Sequence, residues 1–282
     1  MTGNKYESGF MVSRIDKYIL VIIAVMVLLT IISFLFIDAN VYKRLRDQPI
    51  NLEQDTLIRA FVYFGKAWAL IWWLLVWILL TNRLRPVLVG LFALVLLLPV
   101  VHPLKILTGR PRPREVAATT AMEQENVRIR GYSFPSGDTA SAFAVAASLA
   151  GFVRWPWAIA LFTGSSGIGL MRVAQMAHYP SDVFCGAAIG VLCGRIALRI
   201  GRRWDLPQPA CGGFGWCRIV ALLGVIVIPV LAGFFLGSDQ LLLFLKTHVV
   251  LAVAVLLLGL LCFWSQRTEQ SREHSTRIEP RA

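Results

Sequence analysis

Residues Tyr18–Ile37 read YILVIIAVMVLLTIISFLFI, twenty residues without a charge, between Lys17 and Asp38. As an α-helix rising 1.5 Å per residue, such a run reaches about 30 Å, the thickness of a bilayer's hydrocarbon core. It is longer than a signal-peptide core and no A-x-A-like cleavage site follows it, so it reads as a retained signal anchor. Seven further apolar runs follow the same rule. They are Phe61–Leu80, holding Trp68, Trp72, Trp73 and Trp77, with Lys66 one turn from its edge; Val87–Leu104, holding Pro99; Asp138–Val153, rich in Ala and Ser; Trp157–Met171; Asp182–Leu198; Ile219–Leu236; and Leu241–Trp264. The fold expected is all-α and polytopic in a membrane, a six-helix core with two additional C-terminal spans. The corresponding divisions are 1–17, a cytoplasmic N-terminus; 18–198, the core; 199–218, an inner loop; 219–264, the two extra spans; and 265–282, a cytoplasmic tail.

Composition agrees. Hydrophobic residues make up 57% and charged residues 16% of the 282, against about 25% charged in a soluble domain. The charges are unbalanced, 28 Lys+Arg against 16 Asp+Glu, net +12. A soluble nucleic-acid binder shares the basic excess but not the hydrophobicity, and a disordered chain is excluded for the same reason. Much of the base is explained by orientation, since cytoplasmic loops of membrane proteins are enriched in Lys and Arg. With the N-terminus inside, Arg83, Arg85, Arg154, Arg199, Arg202, Arg203 and Arg218 all fall in inner loops. The outer segment His102–Ser136 breaks the rule, carrying Lys105, Arg110, Arg112, Arg114, Arg128 and Arg130. Those cations require another purpose. The five cysteines lie in spans or in the inner loop, and no structural disulfide is expected.

Three segments fall on that outer face: Lys105-Ile-Leu-Thr-Gly-Arg-Pro-Arg112-Pro113, Phe134-Pro135-Ser136-Gly137-Asp138, and Arg172 followed after five residues by His178-Tyr-Pro-Ser-Asp182. Arg offers a planar fork that matches phosphate oxygens, and Lys adds a point charge. Ser136-Gly137 opens a helix, whose free N–H groups and dipole favour an anion. A carboxylate at Asp182 accepts from one imidazole nitrogen of His178 and leaves the other as nucleophile or base. Singly, each part has a plainer reading. The basic run fits a juxtamembrane patch for anionic lipid, Ser136 an N-cap, and His178 a loop histidine. The glycines Gly164, Gly167 and Gly169 fit close helix packing rather than a nucleotide loop. Jointly, the segments form a set for binding and cleaving a phosphate.

The set resembles the signature of the type 2 phosphatidic acid phosphatase superfamily, Lys-x6-Arg-Pro, Pro-Ser-Gly-His and Ser-Arg-x5-His-x3-Asp, from Lys105 to Asp182. The resemblance implies a six-helix membrane fold and selects Arg112 over Arg110 in the first segment. It implies that Lys105, Arg112, Ser136, Gly137 and Arg172 hold phosphoryl oxygens, that His178 becomes a phosphohistidine, and that Asp182 orients it. No metal and no cofactor are implied.

Two positions depart from the signature. Met171 replaces a serine, and Asp138 replaces the histidine that would protonate the leaving group. An aspartate among cations is a poor general acid at neutral pH. A phosphate leaving from a diphosphate has a second pKa of about 6 and needs no such help, so Asp138 points toward lipid diphosphates or phosphoryl transfer. Asp138 as a simple helix cap is the competing reading. The expected function is a phosphatase acting on an anionic lipid phosphate or diphosphate at the outer face of the inner (plasma) membrane. Undecaprenyl diphosphate is the first substrate expected. Alternatives are a lipid A or phosphatidylglycerophosphate phosphatase, a lipid phosphotransferase, and a non-catalytic lipid-binding or transport protein. No nucleic-acid partner and no obligate protein partner is expected.

Overall fold

The computed structural model describes residues 4–47, 63–81, 83–122, 131–204, 222–225 and 227. Among these the chain is all-helical, with no strand. The elements are α1 (Asn4–Ile32), a π-helical turn (Ser33–Ile37), α2 (Asp38–Asp47), α3 (Ala67–Thr81), α4 (Leu84–Thr108), α5 (Pro113–Met122), α6 (Gly137–Leu149), α7 (Trp155–Ala174) and α8 (Pro180–Gly201). Among the described residues, four helical stretches are long and apolar enough to cross a membrane: Lys17–Asp47, Leu84–Ala117, Trp155–Ala174 and Pro180–Gly201. Ala67–Leu79 is a shorter apolar helix. The protein is thus an all-α polytopic membrane protein.

The chain divides into two compact units, Met1–Leu74 with Arg83–Gln208, and Leu75–Asn82 with Pro209–Ala282. Of the second unit only residues 75–81, 222–225 and 227 are described. The expected spans Ile219–Leu236 and Leu241–Trp264, most of the inner loop and the tail therefore lie outside the described residues.

In the first unit α8 is the hub, packing against α6, α4 and α1, while α6 also packs against α4 and α7. The core joins Val89, Ala93 and Leu97 of α4, Ala140 and Ala144 of α6, and Cys193, Ala197 and Leu198 of α8. Phe143, Ala187 and Val191 extend it toward Ile19, Ile23 and Met26 of α1. Cys185 and Cys193 are free thiols.

The fourth run differs from the span expected over Asp138–Val153. Helix α6 has 13 residues, about 20 Å of rise, which is short of the roughly 30 Å hydrocarbon core. Residues 142–149 are all buried. Its Ala and Ser content suits a central helix enclosed by its neighbours, because small side chains let other helices approach closely. The other side of that contact is a stripe in α8. A Cβ at Gly186, Gly190 or Gly194 would collide with the carbonyl oxygens of Ser136, Ala140 and Ala144. The expected packing role of the α7 glycines holds only in part. A side chain at Gly169 would strike Val183, whereas Gly164 has open space around it.

At the first helix the π-turn inserts one residue into the ladder, with the Asp38 N–H bonded to the Ser33 carbonyl. The insertion rotates the facing of the helix beyond it, and such turns recur at functional sites. Asp38, at the end of a lipid-exposed run, thereby points inward and is 4% exposed.

Candidate active site

The glycine stripe sets the N-termini of α6 and α8 side by side, and the Ser136 N–H donates to the Asp182 carbonyl at 3.0 Å. At the same end of the bundle α7 carries Arg172 in its last turn. The chain then turns through Met176, whose φ of 49° lies in the left-handed region, and the Ala177 and His178 N–H groups fold back onto the Arg172 carbonyl. The Met176 carbonyl accepts from the Arg114 N–H at 2.9 Å. These bonds bring the first and third sequence segments together, with the second between them.

His178 is 3% exposed. Its Nδ1 lies 2.7 Å from the Ser133 carbonyl oxygen and 3.7 Å from Asp182 Oδ2. The expectation that Asp182 accepts the imidazole proton is therefore revised. The hydrogen-bond acceptor for Nδ1–H is a backbone carbonyl, and the carboxylate stands just behind it. A carbonyl acceptor assigns the proton to Nδ1 and leaves Nε2 with its lone pair. Burial, aided by the Arg172 and Lys105 charges, holds the imidazole below its ordinary 6.5, against the opposing influence of Asp182.

Asp182 is fully buried and saturated. It accepts from Arg110 Nη1 at 2.7 Å, from the Tyr179 N–H at 2.8 Å and from the Ser133 hydroxyl. Arg110 also bonds Asp38 Oδ2 at 2.7 Å and Ser181 Oγ at 2.8 Å, and it lies 3.8 Å over the Tyr179 ring. Asp38 in turn accepts from the Ser181 N–H at 3.1 Å. Sequence reasoning missed Asp38, Ser133 and Ser181. Asp38 carried only the signal of an acid closing an apolar run, which the acids of the outer loop share.

The two arginines of the first segment are used differently. Arg110 is committed to protein carboxylates, while Arg112 Nε is buried with no hydrogen-bond partner among the described residues. Lys105 donates to the Tyr132 carbonyl at 3.0 Å and lies within Coulombic reach of Arg112, Arg172, Asp138 and Asp182. Its Cε is 3.9 Å from the position a Cβ would take on Gly137. Arg172 is 8% exposed and donates from Nη1 to Gln175 at 3.2 Å. Ser136 is fully buried. It stands at the N-cap of α6, but its hydroxyl pairs with Thr139 Oγ1 at 2.9 Å and caps no backbone N–H.

Asp138 does not cap the helix by itself either. Its Oδ2 lies 3.2 Å from Lys66 Nζ and 3.2 Å from Arg172 Nε, so it joins the turn before α3 to the end of α7. The Arg172 contact is an ion pair without hydrogen-bond geometry. Among the described residues no group of three or more His, Cys, Asp or Glu is placed to hold a metal ion.

Three cations, a helix start with no side-chain cap and a buried imidazole thus converge at one end of a helical bundle. Residues 86–205 match the family model of the PAP2 superfamily. A stretch of 95 residues is 39% identical to the Lipid A 1-phosphatase of Porphyromonas gingivalis, covering 33% of this chain and 18% of that protein. This chain therefore matches under a fifth of the length of that curated relative. The crystal structure of Aquifex aeolicus LpxE is similar at 30% identity with a TM-score of 0.47, covering 57% of this chain and 94% of that one.

Proposed function

We propose that this protein is a metal-independent membrane phosphatase that removes phosphate from a lipid through His178. The observation that carries the reading is the buried His178, its Nδ1 fixed by the Ser133 carbonyl at 2.7 Å and its neutral form favoured by burial among Lys105 and Arg172. Pure binding of a phosphate needs no such imidazole. Nε2 attacks phosphorus, the ester P–O bond breaks, and a phosphohistidine forms. Water then attacks the phosphorus, the P–N bond breaks, and phosphate leaves. Lys105, Arg112, Arg172 and the N–H groups at Ser136-Gly137 stabilise the charge that develops on the phosphoryl oxygens. Asp182 holds Ser133 and the turn at Tyr179, and so acts on His178 through them.

For substrate, similarity to a Lipid A 1-phosphatase favours a lipid A-type glycolipid over undecaprenyl diphosphate. The chemistry agrees. An oxygen leaving from the anomeric carbon of a sugar is a weaker base than an alkyl alkoxide, which eases the absence of a histidine at Asp138. We place the site at the outer face of the inner membrane, with both termini cytoplasmic and residues 18–198 as the catalytic core. The opposite end of the bundle carries Arg83, Arg85, Arg154, Arg199, Arg202 and Arg203, as a cytoplasmic end should. There Arg85 bonds the Trp204 carbonyl at 2.7 Å.

The test is phosphate release by purified protein in detergent with a chelator present. Lipid A 1-phosphate, undecaprenyl diphosphate and phosphatidylglycerophosphate are compared. Turnover of the first above the others, lost in His178→Ala, is expected. Turnover that survives His178→Ala defeats the mechanism, and binding of all three without turnover returns the protein to the transport class.

A further inference from the structure

We propose that Lys66 is a further catalytic residue of this reaction, donating a proton to the oxygen that leaves phosphorus. The inference rests on the phosphatase reading above. Lys66 lies outside the residues that match the family model and none of the three sequence segments contains it. The fold nevertheless brings it to the site, where its ammonium and the Arg172 guanidinium share one oxygen of Asp138, each at 3.2 Å.

The chemistry of the step asks for such a group. When Nε2 of His178 forms a bond to phosphorus and the P–O ester bond breaks, the bond's electron pair stays on the leaving oxygen. An alkoxide there is strongly basic. Asp138, ion-paired to two cations, offers acceptors and no proton. Lys66 carries three N–H donors, of which the Asp138 contact occupies one. Its side chain is 36% exposed, against 10% for Arg172, so it is the more accessible cation of this pair, open to the leaving group while Arg172 faces the phosphoryl oxygens. Arg172 cannot serve as the donor because a guanidinium does not deprotonate in proteins.

Asp138 then has a defined task. It ties Lys66 to Arg172, which belongs to the cation set around His178, and so fixes the ammonium relative to the phosphorus. The balance closes over two steps. In the first, Lys66 gives its proton to the leaving oxygen and becomes a neutral amine. In the second, water attacks the phosphohistidine, the amine takes the water's proton, and the P–N electron pair returns to Nε2. The product is free lipid alcohol and phosphate, with Lys66 again an ammonium.

The experiment compares two esters in detergent, dodecyl phosphate with a strongly basic leaving oxygen and 4-nitrophenyl phosphate with a weakly basic one. For Lys66→Met we expect kcat/KM on the dodecyl ester to fall about 10²–10³-fold, the scale of a lost general acid. The nitrophenyl ester should change by less than about fivefold, since its leaving group needs no proton. Retained nitrophenyl turnover also shows that the variant is folded. Lys66→Arg keeps the positive charge beside Asp138 but cannot release a proton, so it should remain deficient on the dodecyl ester. Equal losses on both esters, or no loss on either, overturn the proposal. Recovery of dodecyl turnover in Lys66→Arg overturns proton donation in favour of charge alone. If the wild-type protein hydrolyses neither ester nor any lipid phosphate, the functional reading fails and takes this one with it. A wild type that is active and dependent on His178 leaves that reading standing whichever way Lys66 behaves.

Discussion

Asp38 Oδ2 lies 2.7 Å from Arg110 Nη2, and the other terminal nitrogen of the same guanidinium lies 2.7 Å from Asp182 Oδ1. One arginine thus joins the end of the first helical stretch to the carboxylate beside His178. Both acids are at most 5% exposed, so each depends on Arg110 for compensation. Arg110→Leu strands two buried carboxylates and should cost about 3–5 kcal/mol of stability. Asp38→Asn keeps the shape and should cost about 1–3 kcal/mol. Thermal unfolding in detergent checks the order, and an Arg110→Leu protein as stable as wild type would refute the bridging role.

Arg112 should behave in the opposite way. Its buried Nε has no hydrogen-bond partner among the described residues, so under the proposed mechanism Arg112→Gln removes a ligand for phosphate rather than a structural tie. Loss of one charge-assisted contact at a phosphoryl group is expected to lower kcat/KM by about 10²–10³-fold with the melting temperature nearly unchanged. A large drop in melting temperature with a small kinetic effect would reassign it to structure.

The pH dependence is set by His178. Only the neutral imidazole is nucleophilic, and burial holds its pKa below 6.5. The acid limb of kcat/KM should therefore fall below pH 6.5, with activity retained as pH drops through that value. Arg172 is one of the charges that lower the imidazole, so Arg172→Gln should move the limb to higher pH as well as slow the reaction. Stability has the same sign. Between the folded and unfolded values the unfolded chain binds more protons, and stability declines as pH falls through that window. A wild-type limb at or above 6.5 contradicts this account.

The glycine stripe yields a paired comparison. At Gly190 an added Cβ collides with the Ala140 carbonyl and crowds Phe143, so Gly190→Ala should destabilise by about 1–3 kcal/mol. At Gly164 nothing lies within 4 Å, and Gly164→Ala should be neutral or gain up to about 1 kcal/mol from helix propensity. Folded yield and melting temperature report both. Equal effects would mean that α6 and α8 do not need close backbone approach.

Much of this site was legible in the residues alone. Hydropathy depends on local composition, so the apolar runs revealed a polytopic helical protein. A cation cluster that breaks the expected placement of positive loops has few uses, and that singled out Lys105, Arg112 and Arg172 beside His178. The signature also separated Arg112 from Arg110, and the structure ties Arg110 to Asp38 and Asp182. The fourth run was legible as a helix but not as an enclosed one, because an Ala-rich stretch reads alike at a lipid face and at a helix crossing.

Which distant groups meet was beyond the reach of local pattern. Asp38 and Ser181 are 143 positions apart, Ser133 and His178 45, and no sequence signal marks either pair. Asp38 turns inward because a π-turn precedes it, and Lys66, in the turn before α3, meets Asp138 in the first turn of α6. The sequence by itself determined the solvent, the helices and the inventory of cations, nucleophile and acid. The tertiary structure decided which acid serves which cation, because ion pairing in a buried site depends on distances of about 3 Å that only helix packing sets.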